Sequence, residues 1–315
     1  MTMISTGRKG KTWYGGRVVV ELHLKHGTYS FYNYKPAGYG LTISGEINSS
    51  DEGEPTINTI TIYNLSKKHR ALFKVHDHVV IKGGSKSTFG ILSEGDISKI
   101  QPITIDGVDR AFSFTFTEGK DYSKLSKIYN QYSGYKEVKH SYKTSDGKTV
   151  TWTSRKKKKI NIRFSKNVKA KTIIGRICRS SGIKISVLHL KKNKVYKRGY
   201  TLSDKPFDAL KKLAKDCGSV MYYRRGSLVI DDHKKPSLYA THLYLTLKDG
   251  LTAEPTVNDS DGKKPTYSLS LYLNSLITVG SIFYVDSETV KGLVRTKNTS
   301  TGLDDGLMSA EVLRV

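Results

Sequence analysis

Short runs of alternating apolar and polar residues dominate the first part of the chain. Clear examples are Leu41–Ile47, Thr59–Leu65 and Ala111–Thr117, and polar or glycine-containing turns separate them. Alternation places apolar side chains on one face of a strand, and short strands recurring about every 8–12 residues are typical of sandwiches and barrels. We therefore predict an N-terminal β-barrel-like domain over residues 1–125.

The same alternation of apolar and polar residues recurs at the end of the chain. Thr241–Leu247 and Tyr267–Leu273 alternate, and further short apolar runs follow at Ser281–Val285 and Leu307–Val315. These runs are again too short for helices and are bounded by polar loops. The pattern predicts a second β-barrel-like domain over residues 241–315.

A helical period appears only between these two parts. Over residues 168–181, Ile173, Ile174 and Ile177 fall on one face of a predicted helix. Gly182 follows at the position where a left-handed residue commonly ends a helix. This segment is therefore predicted to be an amphipathic helix.

A second helix is predicted over residues 204–217. Ser203 or Asp204 can cap its N-terminus, and Pro206 suits the first turn. Its apolar stripe consists of Phe207, Leu210, Leu213, Ala214 and Cys217. With the short strands around them, the two helices predict a small α+β domain over residues 126–240. The fold class predicted for the whole chain is β-rich α+β.

The middle part also contains a predicted hairpin. Glu137–Tyr142 and Lys148–Thr153 alternate on either side of Asp146-Gly147, a dipeptide that favours the positive φ of a tight turn. The two cysteines, Cys178 and Cys217, fall on the apolar faces of the two helices. Two cysteines are too few for a disulfide framework, so we expect both to be reduced and structural.

Charge is distributed very unevenly along the sequence. Residues 126–240 contain 30 of the 53 Lys and Arg but only 7 of the 28 Asp and Glu, so this part carries most of the net charge of +25. Such an excess predicts an acidic partner: nucleic acid, an anionic surface or an acidic protein. The densest run is the candidate surface for that partner, and its residues are Arg155, Lys156, Lys157, Lys158 and Lys159.

Motifs for chemistry are weak throughout. His76-Asp77-His78 could begin a zinc site, but the sequence places no third ligand, so we predict no metal. Gly83–Ser87 lacks the spacing of a phosphate-binding loop and is predicted to be a hairpin turn. The chain has no nucleophile elbow, and its paired acidic residues are adjacent in predicted loops. We predict that the protein is not an enzyme and needs no cofactor.

The sequence also bears on where the protein works. The first residues lack the apolar core of a signal peptide, and no apolar run is long enough to cross a membrane. Tyr, with 20 residues, far outnumbers Phe, with 9, and tyrosine suits exposed sheet faces and interfaces. We expect a soluble protein made in a reducing cytoplasm.

Several segments, in order, resemble the baseplate hub proteins of bacteriophage tails and related contractile injection machines. They are Thr59–Ser66 with the letters YNLS, Phe89–Ile97 with EGDI, Tyr196–Ile230, Lys248–Pro255 and Leu273–Ser287. The resemblance covers most of the chain from about Ile57 onward. Two departures are the density of Lys and Arg in the middle part and Asn274-Ser275, where the family usually has Asn-Pro.

The resemblance implies a homotrimer in which the two β-barrel domains of each subunit alternate around a ring. The ring would join the tail tube to the central spike or tail-tip protein, and tape-measure protein and DNA would pass through it. Localisation would be the tail baseplate of a virion assembled in the host cytoplasm, and the tail would be contractile. Two other functions stay open: a non-specific nucleic-acid-binding protein that uses the basic middle domain and, third, a wall-degrading tail enzyme.

Overall fold

The structure is a computed structural model of the chain, and it describes residues 4–5, 16–34, 40–130, 135–157, 160–232, 234, 240–258 and 265–315. The helices are α1 (Lys67–Arg70), α2 (Ala170–Ser181) and α3 (Pro206–Asp216). The strands of the first half are β1 (Ile4–Ser5), β2 (Arg17–Leu24), β3 (Gly27–Tyr32), β4 (Ile43–Ser50), β5 (Ile57–Tyr63), β6 (His78–Gly84), β7 (Gly90–Ile100), β8 (Thr104–Asp106), β9 (Asp109–Glu118), β10 (Tyr129–Asn130), β11 (Tyr135–Lys143), β12 (Thr149–Lys157), β13 (Ile160–Phe164) and β14 (Val168–Lys169). Those of the second half are β15 (Val187–Leu188), β16 (Val195–Tyr196), β17 (Tyr200–Leu202), β18 (Ser219–Arg224), β19 (Ser227–Asp232), β20 (Ala240–Thr246), β21 (Thr256–Asn258), β22 (Thr266–Tyr272), β23 (Ile282–Asp286), β24 (Lys291–Gly302) and β25 (Leu307–Arg314).

The chain divides into two compact units. The large unit contains Met1–Asp121, Lys184–Lys192 and Gly218–Val315, and the small unit contains Tyr122–Ile183 and Asn193–Cys217. Strands predominate over helices, so the β-rich class predicted from the sequence is confirmed. The three-part division at residues 125 and 240 stays a prediction.

One sheet runs through the large unit. Its main path is β1-β20-β23-β24-β4-β5-β9-β7-β6-β2-β3, and β21, β22, β25 and β8 pair beside this path. The path stays open, so the described strands form no closed barrel. Its central step is the antiparallel pair β4–β24, with Ser50 opposite Asn298 and Glu46 opposite Gly302. This pair joins the two β segments that the sequence pattern assigns to separate barrels into a single ladder.

Alternation along the strands builds the core of the large unit. Ile60 and Ile62 of β5 are fully buried, as are Phe114 and Phe116 of β9. The single inward apolar face predicted from the alternation of Ala111–Thr117 is therefore confirmed. Phe73, which follows α1, packs within 5.2 Å of Phe114, ring centre to ring centre. Apolar burial of this kind contributes roughly 1.5–3 kcal/mol for each side chain and is the main stabilising term.

A smaller sheet in the large unit has the order β15-β19-β18. Its hairpin turn, Arg225-Gly226, lies against the end of β9, where only glycine fits at two positions. A side chain at Gly119 would come within 2.3 Å of the Gly226 carbonyl oxygen, and one at Gly226 would meet Glu94. Tyr223 adds a hydrogen bond from its hydroxyl to the Lys120 carbonyl at 2.7 Å. The two glycines thus permit a close approach between the turn and the strand end.

The small unit contains both longer helices, at the places where the sequence predicts them. Gly182 ends α2 with φ of 71°, the left-handed conformation expected there. The predicted cap of α3 is wrong: the N-cap is Lys205, without a side-chain bond. Asp204 is instead engaged by the Lys212 ammonium at 2.8 Å, and Pro206 occupies the first turn.

The cysteines of the small unit are both free thiols. Cys217 is buried at the end of α3, together with the rest of the predicted stripe of that helix. Cys178 of α2 is only partly buried, so the expectation that both lie on fully buried faces holds for one of them. Burial raises the pKa of the Cys178 thiol to about 11, which keeps it protonated and unreactive near neutral pH.

A buried carboxyl group fixes the turn of the smaller sheet to β9. Glu118 is 1% exposed, and it accepts hydrogen bonds from the Thr56 hydroxyl at 2.9 Å and the Gly226 amide at 3.3 Å. Burial raises the pKa of Glu118 to about 7; the nearby Glu94 acts in the same direction, whereas the bonds from Thr56, Gly226 and Arg225 lower it. The group is therefore half protonated near neutral pH.

This pKa predicts how stability changes with pH. Because the folded pKa of Glu118 lies above its unfolded value of 4.5, its protonated form stabilises the fold fully below pH 4.5, and this contribution is lost as pH rises through 7. The change amounts to about 3 kcal/mol. We expect Glu118→Gln to remove this dependence, measured as the free energy of unfolding by urea between pH 4 and 8.

Glu311→Gln is the matched control, because its effect should have the opposite sign. Burial works to raise the pKa of Glu311, but bonds from Lys297, Thr266 and Asn298 outweigh it and lower that pKa. Replacing Glu311 should therefore remove stability that is present at neutral pH and lost in acid. A Glu118→Gln profile parallel to that of the unmodified protein would contradict the assignment.

Candidate partner-binding surface

The small unit carries the charge that the sequence concentrates in the middle of the chain. It contains 24 of the 53 Lys and Arg but only 5 of the 28 Asp and Glu. Two of those acidic residues already form ion pairs: Asp204 with Lys212 at 2.8 Å and Asp216 with Lys194 at 3.1 Å. Internal pairing therefore neutralises little of the positive charge, and the surface of this unit attracts anions.

In each of these ion pairs, one charged group has a pKa that its hydrogen-bond partners shift. The hydrogen bond from Lys212 to Asp204 raises the pKa of the Lys212 ammonium. Burial opposes ionisation of Asp216, but bonds from Tyr196 and Lys194 lower its pKa below the usual value. Lys212 and Asp216 therefore stay ionised at neutral pH.

Strands β11 and β12 form the most exposed element of the small unit. Nine residue pairs connect them, from Tyr135 opposite Lys157 to Lys143 opposite Thr149. Among the described strands they pair only with each other, and most of their described side chains are exposed. Asp146-Gly147 forms the turn, with φ of 77° at Gly147, as the sequence predicts.

The predicted anionic-partner surface begins on this hairpin. Arg155, near the end of β12, is exposed and lies opposite Glu137 of β11. The backbone of Lys156 and Lys157 continues the strand, opposite Lys136 and Tyr135. Lys158 and Lys159 lie outside the described residues. The structure thus places the start of the run at the base of the hairpin, away from its turn.

One face of the hairpin is aromatic, a feature that the sequence pattern did not identify as a surface. His140 and Trp152 lie opposite each other and stack with ring centres 4.9 Å apart. Tyr142 meets Trp152 edge to face at 5.9 Å. Tyr142 is 54% exposed and Trp152 49%, so the cluster is open to a partner. Alternation along both strands could predict that these aromatic residues share a face. It could not predict that the face is exposed.

The opposite face is polar and cationic. Lys139 lies across from Thr153, and Lys143 lies across from Thr149, so each lysine faces a neutral residue. Both lysines are exposed, and neither forms an ion pair with a residue that the structure describes. Arg155 differs, because Glu137 faces it. Among the described side chains of this face, the cations that no carboxylate faces across the hairpin are therefore the two lysines of β11.

The large unit has a surface of the opposite kind, which we call the acidic groove. It is a cavity of about 600 Å³ beside one of about 320 Å³, and both are lined by Ser300 and Ser309. Its acidic lining residues are Glu46, Asp304, Asp305 and Glu311, and the remaining lining is mostly Ser, Thr and Asn. Sequence patterns could not predict this groove, because its residues come from distant segments joined by the β4–β24 pair.

The histidines singled out in the sequence do not assemble a metal site. His78 Nδ1 lies 3.0 Å from the Asp96 carboxylate, and its ring meets that of His23 edge to face at 5.8 Å. Within the part of the chain that the structure describes, no group of three or more His, Cys, Asp or Glu could hold a metal ion. In the same residues, no helix is long and apolar enough to cross a membrane.

Comparison with known proteins gives a clear result for the fold alone. No protein-family model matches the chain, and no curated protein sequence matches it. The prophage MuSo2 43 kDa tail protein from Shewanella oneidensis superposes with a TM-score of 0.60 at 13% identity, over 96% of this chain and 98% of its own. A tail protein from Neisseria meningitidis MC58 gives 0.55 at 10% identity, over 95% and 96%.

The chain has the fold of a phage tail protein. A third solved structure extends the likeness: the E. coli c3393 protein, a type VI secretion component described as structurally similar to the T4 tail proteins gp27 and gp5. It gives a TM-score of 0.53 at 10% identity, over 87% of this chain and 73% of its own. The resemblance to tail hub proteins noted in the sequence is therefore supported at the level of the fold.

Quenching of Trp152 fluorescence tests the exposed, basic hairpin directly. The chain has two tryptophans, Trp13 and Trp152, so a Trp13→Phe variant reports on the hairpin alone. We expect iodide to quench this emission more strongly than caesium, because the surrounding lysines concentrate anions. The difference should shrink in high salt, which screens the charges. Equal quenching by both ions at low salt would contradict the basic surface.

Proposed function

We propose that this protein is a structural subunit of a phage or phage-like tail, the hub of its baseplate. Three copies would form a ring that joins the tail tube to the central spike or tail-tip protein. Tape-measure protein and DNA would pass through the ring, and the assembled ring would be part of a virion. The role is structural rather than catalytic, and the likeness of the sequence to contractile machines favours a contractile tail.

The observation that carries this proposal is the extent of the shared fold. The likeness to the MuSo2 tail protein covers 96% of this chain and 98% of the other, so it includes both units and not one common module. The order of segments that resembles tail hub proteins comes from the sequence and is independent of that superposition. Fold alone does not determine function, but here two separate observations favour the same one.

The large unit also has sheet edges suited to assembly. Among the described strands, β3 pairs only with β2, and β21 pairs only with β22. An edge strand offers outer N–H and C=O groups for pairing with another chain, although on β3 the Tyr32 carbonyl already accepts from the Leu41 amide. In a ring, these edges could be covered by neighbouring subunits, with the N-terminal and C-terminal β segments alternating around the axis as the two barrel-like parts of each subunit.

Native mass measurement with negative-stain microscopy tests the proposal. We expect the purified chain to form trimers whose fraction rises with protein concentration, and the particles to be rings with a central opening. Adding a tube or spike partner should increase that fraction, because binding stabilises the assembled state. A chain that remains monomeric at every concentration and with either partner present would contradict the hub.

A second candidate function is non-specific binding of nucleic acid by the basic region. The charge of the small unit favours it, because contacts to phosphates release counterions. Replacing Arg155–Lys159 by Ser should then weaken DNA binding at low salt and reduce its salt dependence by about one unit of slope for each lost contact. Trimer formation should be unaffected. If the unmodified protein fails to bind DNA at low salt, this function is excluded.

A further inference from the structure

The polar face of the β11–β12 hairpin presents two cations at a defined spacing. Lys139 and Lys143 lie on the same side of β11, four residues apart, which corresponds to about 13 Å along a strand. Their cross-strand neighbours are Thr153 and Thr149, so no carboxylate compensates them from the other strand. The hairpin is therefore a cationic arm whose two charges lack a partner among the described residues.

The acidic groove has carboxylates at both of its ends. Its floor is one face of β24, where Asn298, Ser300 and Gly302 alternate with inward residues. Glu46 lies opposite Gly302, and Glu311 lies opposite Asn298. The two carboxylates thus stand four residues apart along β24 but on the strands at either side of it, so their positions are about 16 Å apart.

The two ends of the groove differ in how far their charge is compensated. Glu311 accepts bonds from the Lys297 ammonium at 3.0 Å and the Asn298 amide at 2.7 Å. At the other end Glu46, Asp304 and Asp305 are exposed, and none of them forms an ion pair with a described residue. Most of the uncompensated negative charge of the groove therefore lies at its Glu46 end.

The chemistry of the groove determines what can occupy it. Neither Lys nor Arg is among the described residues that line it, so it repels nucleic acid and acidic proteins and attracts cations. Hydroxyl and amide groups between the carboxylates can bond to other polar side chains, and the hairpin face offers Thr149, Thr151 and Thr153 beside its lysines. The groove and the cationic arm are complementary in charge and polarity.

We propose that Lys139 and Lys143 of one copy dock into the acidic groove of a neighbouring copy. The inference rests on the proposed ring and identifies one of the contacts that close it. Such a contact joins two different surfaces of identical chains, which is the head-to-tail arrangement that generates a closed ring when the rotation fits. It also separates the strongly basic small units, because each docks against an acidic surface and not against another small unit.

Charge reversal on the hairpin is the first step of the test. In Lys139→Glu with Lys143→Glu, we expect the dissociation constant of the oligomer to rise at least about tenfold, because opposed charges become like charges. The matched control, Lys197→Glu with Arg198→Glu, reverses two exposed charges of the same unit outside the hairpin. It should leave the oligomer unchanged. Circular dichroism confirms that each variant is folded.

Charge reversal on the groove is the second step. Glu46→Lys with Asp304→Lys should weaken the oligomer to a similar extent. In an equimolar mixture, contacts between unlike variants pair opposite charges, so a mixed ring of three has two matched contacts and one unmatched contact. Mixed trimers should therefore form more readily than trimers of either variant alone, and less readily than those of the unmodified protein. Native mass measurement distinguishes the two chains if one of them carries an isotope label.

Each outcome decides between the explanations. If the unmodified protein is oligomeric and neither reversal weakens it, this docking is excluded while the hub proposal stands. If the unmodified protein is monomeric at every concentration, both fail. If the reversals change only the stability of a monomer and mixing restores nothing, the hairpin and groove meet within one chain. If the hairpin reversal abolishes only DNA binding, the lysines serve nucleic acid instead.

Discussion

The pairing of β4 with β24 is the constraint on which the large unit depends. It hydrogen-bonds a strand near the start of the chain to one near its end, and Ser49 and Thr299 reinforce it with a bond between hydroxyls at 3.1 Å. Beside it the Arg295 guanidinium, 2% exposed, donates to the Asp51 carboxylate at 2.8 Å. Removing one partner of such a buried pair costs about 3–5 kcal/mol, because the other charge stays buried.

One consequence of this pairing is that the core of the first β segment includes residues of the second, whereas the second also has a buried cluster of its own. Leu273 and Leu303, from the second β segment, belong to the same buried cluster as Phe114 and Ile60 from the first. The acidic groove exists for the same reason, because its floor requires β4, β24 and β25 side by side. None of the residues of this buried cluster or of the groove lining belongs to the small unit.

Local patterns in the sequence predicted local structure well. Alternation located the strands, the turn at Gly147 and the inward phenylalanines of β9, and the helical period located α2 and α3. The partner of a strand is not encoded locally, so the sequence could not show that β4 meets β24 or that Glu46 and Glu311 share a groove. The exposure of the hairpin's aromatic face was not predicted for another reason. Alternation shows which side chains share a face, but their exposure depends on what packs against that face.

The proposed tail location would account for these features together, since a ring subunit would need a rigid sheet, sheet edges for pairing and charged arms for its neighbours. The most direct measurement is therefore to locate the chain in intact particles. An epitope tag on this chain, marked with gold on purified phage or phage-like particles, should place the label at the end of the tail distal to the head. Label on the head or along the whole tail, or particles that lack the chain, would contradict the account.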